Sequence, residues 1–255
     1  MDPTSGTPPQ SSSLREAYGR AAAIIGSEAE SFQIAEEVER LRSAWRPPHV
    51  CVVILAESHV WTDRDEAESR VQQPDGVETG FVRFIYCLGY GERCLAPRVS
   101  RNRKTWQYWT LLYDAVHEPA SVGEVWPREA EERILAKLRL LSELKDAGVW
   151  LVDASVTALY KPRHGRLVTG SKYKKLLRCC WEAHVRNVIA SCHTSAVLIV
   201  GKGVDDAIGN LVRLAVPRAE VKVISQPNAR MTREVRCNER RKVFDFCRRH
   251  RCSSA

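Results

Sequence analysis

An α/β fold is what this 255-residue sequence predicts: a three-layer α/β/α sandwich with a central four-stranded, mainly parallel sheet. Three observations lead there. Four apolar runs, beginning near Val50, Val149, Ala196 and Val221, are too short for typical helices and suit strands buried on both faces. Stretches with helical spacing of apolar residues alternate with them, as parallel strands joined by crossover helices require. Three of the runs stop abruptly at polar clusters, as strands do where their carboxyl ends open on a crevice.

Residues 1–30 read as a disordered or weakly structured tail. The first thirteen lack both the basic start and the apolar core of a signal peptide. A helix follows over Ser31–Trp45, closed by Pro47 and Pro48. The stretch His49–Trp61 holds the first strand and ends in Glu57-Ser58-His59. Asp63–Glu78 is polar and acidic and reads as a loop, and Gly80–Tyr90 is apolar again. A basic loop, Arg98–Lys104, precedes the aromatic run Trp106–Tyr113.

A long helix is expected over Arg128–Ala147, with Ile134, Leu135, Leu138, Leu141 and Leu144 as its buried stripe and Gly148 as its stop. Val149–Ser155 repeats the opening device, an apolar strand that ends in Asp153. The basic, turn-like stretch Lys161–Lys172 leads to a helix over Lys174–Cys192. A third strand, Ala196–Gly201, a short helix near Val204–Leu214 and a fourth strand, Val221–Ile224, complete one domain over residues 31–230. A basic helix and tail occupy 231–255.

Composition narrows the function classes. With 44% apolar and 27% charged residues the chain is that of an ordinary soluble protein, and no apolar segment approaches bilayer length. Nine cysteines, an odd number, without an export signal suggest free thiols in a reducing compartment, cytoplasmic or nucleoid/nuclear rather than secreted. No CxxC pair supports a metal site, although Cys237, Cys247, His250 and Cys252 are scattered ligands that could converge. Gly201-Lys202-Gly203 lacks P-loop spacing and no GxGxxG follows a strand, so no cofactor is expected. The net charge of +8 is concentrated: Arg230–Arg251 holds nine basic residues against three acids, a net +6. Such a face suits either a phosphate backbone or plain solvation.

The strand ends carry the chemistry. Glu57-Ser58-His59, Asp153 with Ser155, and Gln226-Pro227-Asn228 lie far apart in sequence, yet in a parallel sheet all carboxyl ends share one edge. A solvated loop, or a cap for Asp153, is the plain alternative for each.

The order of these motifs resembles the uracil-DNA glycosylase superfamily. Ala56-Glu-Ser-His-Val60 matches the first motif of that family, in its Gly-Glu-Ala-Pro-Gly form, at Glu57. Trp181-Glu182, Val188-Ile189 and the strand Ala196–Gly201 are similar to its helix–strand pair. Gln226-Pro-Asn-Ala-Arg230 looks like a variant of its last motif. The likeness runs in order from about Val50 to Arg230, and no motif is exact. Ser58 stands where many members have the water-activating Asp or Asn, Gln226 replaces a His, and Asp153 is near the position of a base-reading Asn.

The resemblance implies a monomeric DNA N-glycosylase acting on a base flipped out of the strand. In that reading Glu57, with Ser58, positions or activates the water, and His59 or Gln226 donates to the leaving base. Asp153 and Asn228 read the base edge, with Phe81 (or Phe84 or Trp106) stacking on it. Lys202, Arg230 and Arg233 hold DNA. An ionised Asp153 only accepts hydrogen bonds, so it would repel O4 of uracil and favour a base edge rich in N–H groups. Two other expectations stay open: a nucleic-acid-binding relative without chemistry, and a hydrolase of small molecules.

Overall fold

Val and Ile dominate the four apolar runs, and their branched side chains suit a pleated surface covered on both faces. In the computed structural model, which describes residues 9–72, 78–99, 102 and 105–252, all four become strands of one parallel sheet. In chain order the elements begin with α1 (Pro9–Ile25), α2 (Phe32–Ala44), β1 (Val52–Ala56) and α3 (Arg64–Ala67). A small antiparallel pair, β2 (Arg70–Gln72) and β3 (Glu78–Gly80), precedes α4 (Trp106–Asp114), α5 (Val122–Val125), α6 (Ala130–Asp146) and β4 (Val149–Asp153). A hairpin, β5 (Tyr160–Lys161) and β6 (Gly165–Arg166), leads to α7 (Gly170–Cys180), continued by a π turn and α8 (Arg186–Ala190). Then come β7 (Ala196–Val200), α9 (Lys202–Val204), a second π turn, α10 (Asn210–Ala215), β8 (Glu220–Ile224) and α11 (Arg233–His250).

The sheet order is β4-β1-β7-β8, every neighbouring pair parallel. β4 and β8 are the edge strands; β1, β4 and β7 are buried along their whole length, whereas β8 is mostly half-buried. Helices flank the sheet as the outer layers of a sandwich, α1 against α7 in one group and α4 against α6 and α11 in another. From β1 the chain moves outward to β4, then crosses back to β7 on the other side of β1. The switch point therefore lies between β1 and β7, where a crevice opens beyond the carboxyl ends.

Three expectations change. Residues 9–25 are not a loose tail but helix α1, whose Leu14, Ala17 and Ala21 are buried at helical spacing. The stripe of α6 is also different: Leu135 is 59% exposed, while Arg133 and Lys137 are buried with Ile134, Leu140, Leu141 and Leu144. Cys51 and Cys252 are joined by a disulfide rather than held as free thiols, and His250 meets Glu220 at 2.7 Å. Among the described residues no helix is long and apolar enough to cross a membrane. Gly148, after α6, has φ +69° and lies where a Cβ would come within 2.7 Å of the His49 carbonyl oxygen. Only glycine fits that turn into β4.

Candidate functional site

A cleft of about 460 Å³ occupies the switch point. Its walls come from the ends of β1, β7 and β8, from the β5–β6 hairpin, and from the first turn of α7. Glu57 leaves β1 where the parallel ladder still holds the chain, its carbonyl accepting from the Ser155 amide at 3.0 Å. Arg166 Nη1 and the Tyr173 hydroxyl both donate to Glu57 Oε1, each at 2.7 Å. Oε2 has no partner among the described residues. The Arg166 guanidinium also lies 5.2 Å from the Tyr173 ring centre. Burial, then the Glu57 charge and hydrogen bond, push the Tyr173 phenol well above its ordinary 10.0, so it stays a neutral donor.

The Gly201-Lys202-Gly203 turn forms the opposite wall, and both glycines are used. A Cβ on Gly201, whose φ is +103°, would sit 2.9 Å from Gln226 Cγ; one on Gly203 would sit 3.2 Å from the Tyr173 hydroxyl. The turn starts α9, and Gly170 starts α7, both at the cleft and both without a side-chain cap. Uncapped helix starts present backbone N–H groups and partial positive charge. With Arg166 and exposed Lys202 alongside, the cleft suits an anion such as phosphate.

The structure divides the candidate residues. Glu57, Gln226 and Lys202 line the cleft. Ser58 does not: its hydroxyl accepts from the Leu159 amide at 3.2 Å and pins the chain before the hairpin. The His59 side chain is fully buried, with Nε2 in close contact with Glu30 and Nδ1 4.0 Å from Asp153 Oδ2. Asp153 pairs in register with Ala56, one residue short of Glu57, and its Oδ2 accepts from Arg42 Nη2 of α2 at 2.9 Å. Burial pushes the Asp153 carboxyl up against the opposing pull of Arg42 and His59. Phe81 is wholly buried, edge-on to Tyr90, and stacks on nothing in the cleft. Asn228 is exposed in the loop after β8 and lines no part of the cleft, while Arg230 and Arg233 are exposed beyond it.

His59 and Asp153 belong instead to a buried chain of charges. It runs from Glu30 through His59, Asp153, Arg42 and Glu39 to His184, whose Nδ1 lies 2.9 Å from Ser13 Oγ of α1. Three carboxylates face one guanidinium and two imidazoles. It ties α1 and α2 to the sheet. Arg166 and Tyr173 are the cleft residues that sequence reasoning missed. Arg166 lay in the basic, turn-like stretch that read as a loop, and Tyr173 fell between that stretch and the expected helix start at Lys174.

Compared with protein-family models and with curated proteins, the chain matches none.

Proposed function

We propose that the chain hydrolyses the N-glycosidic bond of a damaged or deaminated base in DNA. The observation that carries this reading is Glu57, held by two donors on Oε1 in a cleft at the sheet's switch point. Cleaving that bond generates an oxocarbenium-like sugar and a departing anionic base, so the site needs a fixed carboxylate, a water and a donor. Glu57 Oε2 accepts a proton from the attacking water while the carboxylate faces the cationic sugar. The Gln226 amide, on the opposite wall, donates to the leaving base. The helix starts, Arg166 and Lys202 hold the flanking phosphates. A neutral amide is a weaker donor than an imidazole, so slow turnover is expected.

The arrangement also favours a second reading, binding without chemistry. Of the first motif only Glu57 reaches the cleft, since Ser58 and His59 are engaged elsewhere. One experiment separates the two. Oligonucleotides carrying uracil, hypoxanthine, xanthine or an alkylated base are incubated with the protein, and alkali then reveals abasic sites. The proposal expects scission on at least one of them, reduced about 10²- to 10³-fold by Glu57→Gln. Salt-sensitive binding with no scission on any of them decides for the binding-only reading.

A further inference from the structure

The Gly201-Lys202-Gly203 turn reaches the carboxylate of the cleft through one side chain. Tyr173 donates to Glu57 Oε1 at 2.7 Å, and a Cβ on Gly203 would lie 3.2 Å from that same hydroxyl and 3.5 Å from the ring. Neither partner has room to retreat. The turn is pinned to the sheet: the Gly201 amide donates to the Ile224 carbonyl of β8 at 2.8 Å, and the Gly201 carbonyl accepts from the amides of Val204 and Asp205 at 3.1 and 3.3 Å. Tyr173, in the first turn of α7, is 8% exposed, and the Arg166 guanidinium lies 5.2 Å from its ring centre. A carbon added at position 203 is therefore accommodated by moving the hydroxyl, and the hydroxyl is what holds Glu57. The other donor on Oε1 is a weaker guide. The Arg166 side chain is 39% exposed and stands on a strand of two residues.

We infer that Tyr173 is a positioning residue for Glu57, and that glycine at position 203 leaves the space in which its hydroxyl reaches the carboxylate. This deepens the reading proposed above, on which it rests for the role of Glu57, while the contacts themselves stand without it. A carboxylate gripped at Oε1 can turn only by giving up a hydrogen bond, so Oε2 keeps one direction. A phenol suits the task, because burial first and then the Glu57 charge keep it protonated and a donor. Fixing the base matters for rate, since a displacement of about 1 Å can cost about 10²-fold.

The test reads Tyr173 without any reaction. Protein carrying carbon-13 at the tyrosine ζ carbons is titrated with alkali and followed by NMR, the Tyr173 signal being the one missing from Y173F. In the wild type that phenol should resist ionisation well past the ordinary 10.0. It should ionise at lower pH in E57Q, which lacks the charge, and in G203A, and at lower pH still in G203V than in G203A. Gly19→Ala, on an exposed position of α1 with nothing within 4 Å of the added carbon, should titrate as the wild type does. Should G203V lose its circular-dichroism spectrum, G203A decides. On a base that the protein excises, Y173F and G203A should each lower kcat about 10-fold with KM unchanged. G203A should cost nothing further in a Y173F background, where the hydroxyl it would strike is absent. The inference fails if G203A and G203V leave the phenol titrating as in the wild type, or if G203A slows Y173F as much as it slows the wild type. A shifted titration with no excision on any base upholds the positioning and sinks only the glycosylase chemistry.

Discussion

Arg42 is enclosed by Asp153 at 2.9 Å, by the Glu39 carboxylate, and by the Phe84 ring 5.4 Å from its guanidinium, with 3% of its surface exposed. Removing one member of such a set leaves the others charged and unsolvated, which is costlier than never having built it. Arg42→Met should therefore lower the unfolding free energy by about 3–5 kcal/mol, measured by urea denaturation. The double variant R42M/D153N should recover part of that loss, because the stranded carboxylate is gone. A loss below about 1 kcal/mol in R42M would contradict the buried-charge account. The same contact explains why Asp153 looked like a site residue. Its place after an apolar strand is visible in the sequence, but its pairing with Ala56 rather than Glu57 is not. That one-residue step leaves it under α2 instead of at the cleft. His59, two residues past Glu57, is likewise taken inward by Glu30, a partner 29 residues earlier.

At the scale of elements, α6 shows a helix whose buried face is partly ionic. Arg133 binds Glu92 through two nitrogens at 2.7 and 2.6 Å, and Lys137 adds a third bond at 2.7 Å while lying 4.9 Å from the Trp109 ring centre. The apolar periodicity of α6 foretold the helix and most of its stripe but put Leu135 inside, since nothing local announces an acid 41 residues away. Burial pushes the Glu92 carboxyl up, but the bonds from Arg133 and Lys137 outweigh it and hold it below the ordinary 4.5. A depressed folded-state pKa gives stability that is complete above 4.5 and lost as pH falls through the folded value. Acid titration followed by urea denaturation should thus show stability falling below about pH 4.5, with a shallower fall in Glu92→Gln, which lacks the titrating group. Equal slopes in both proteins would remove Glu92 from the account. The helix α1 went unread for a related reason. Its contacts are small residues, Ala17 and Ala21, fitted against α7, and small side chains give a weak periodic signal.

For the whole molecule, the parallel sheet was the most legible feature, because strands buried on both faces must be continuous apolar runs and cannot hide in the sequence. The shared edge followed from parallel geometry; of the three strand-end clusters it gathers Glu57 and Gln226 at the cleft, beside Lys202, but not Asp153. What no strand pattern reveals is closure between distant parts of the chain: the hairpin that brings Arg166 over Glu57, and the covalent link at the sheet's other edge. Cys51 precedes β1, one of the two inner strands, and Cys252 follows α11, a sequence separation of 201. A crosslink across so long a loop removes much of the freedom of the unfolded chain, and disulfides of this kind typically contribute about 2–4 kcal/mol. The Cys252 amide also donates to the Ala147 carbonyl at 3.0 Å, so the α11 terminus keeps a seat when the bond is broken. Reduction should consequently weaken the fold without abolishing it. Dithiothreitol should lower the urea midpoint of the wild type, Cys252→Ser should show the lowered midpoint from the start, and reductant should then do nothing further. If reductant shifts Cys252→Ser as far as it shifts the wild type, another pair among the remaining cysteines carries the effect. If it shifts neither, the link between β1 and α11 adds no stability, and the docking of α11 rests on its buried Val243, Phe244 and Phe246, the Cys252 amide bond, and the Arg240–Asp114 and Arg249–Glu220 bridges.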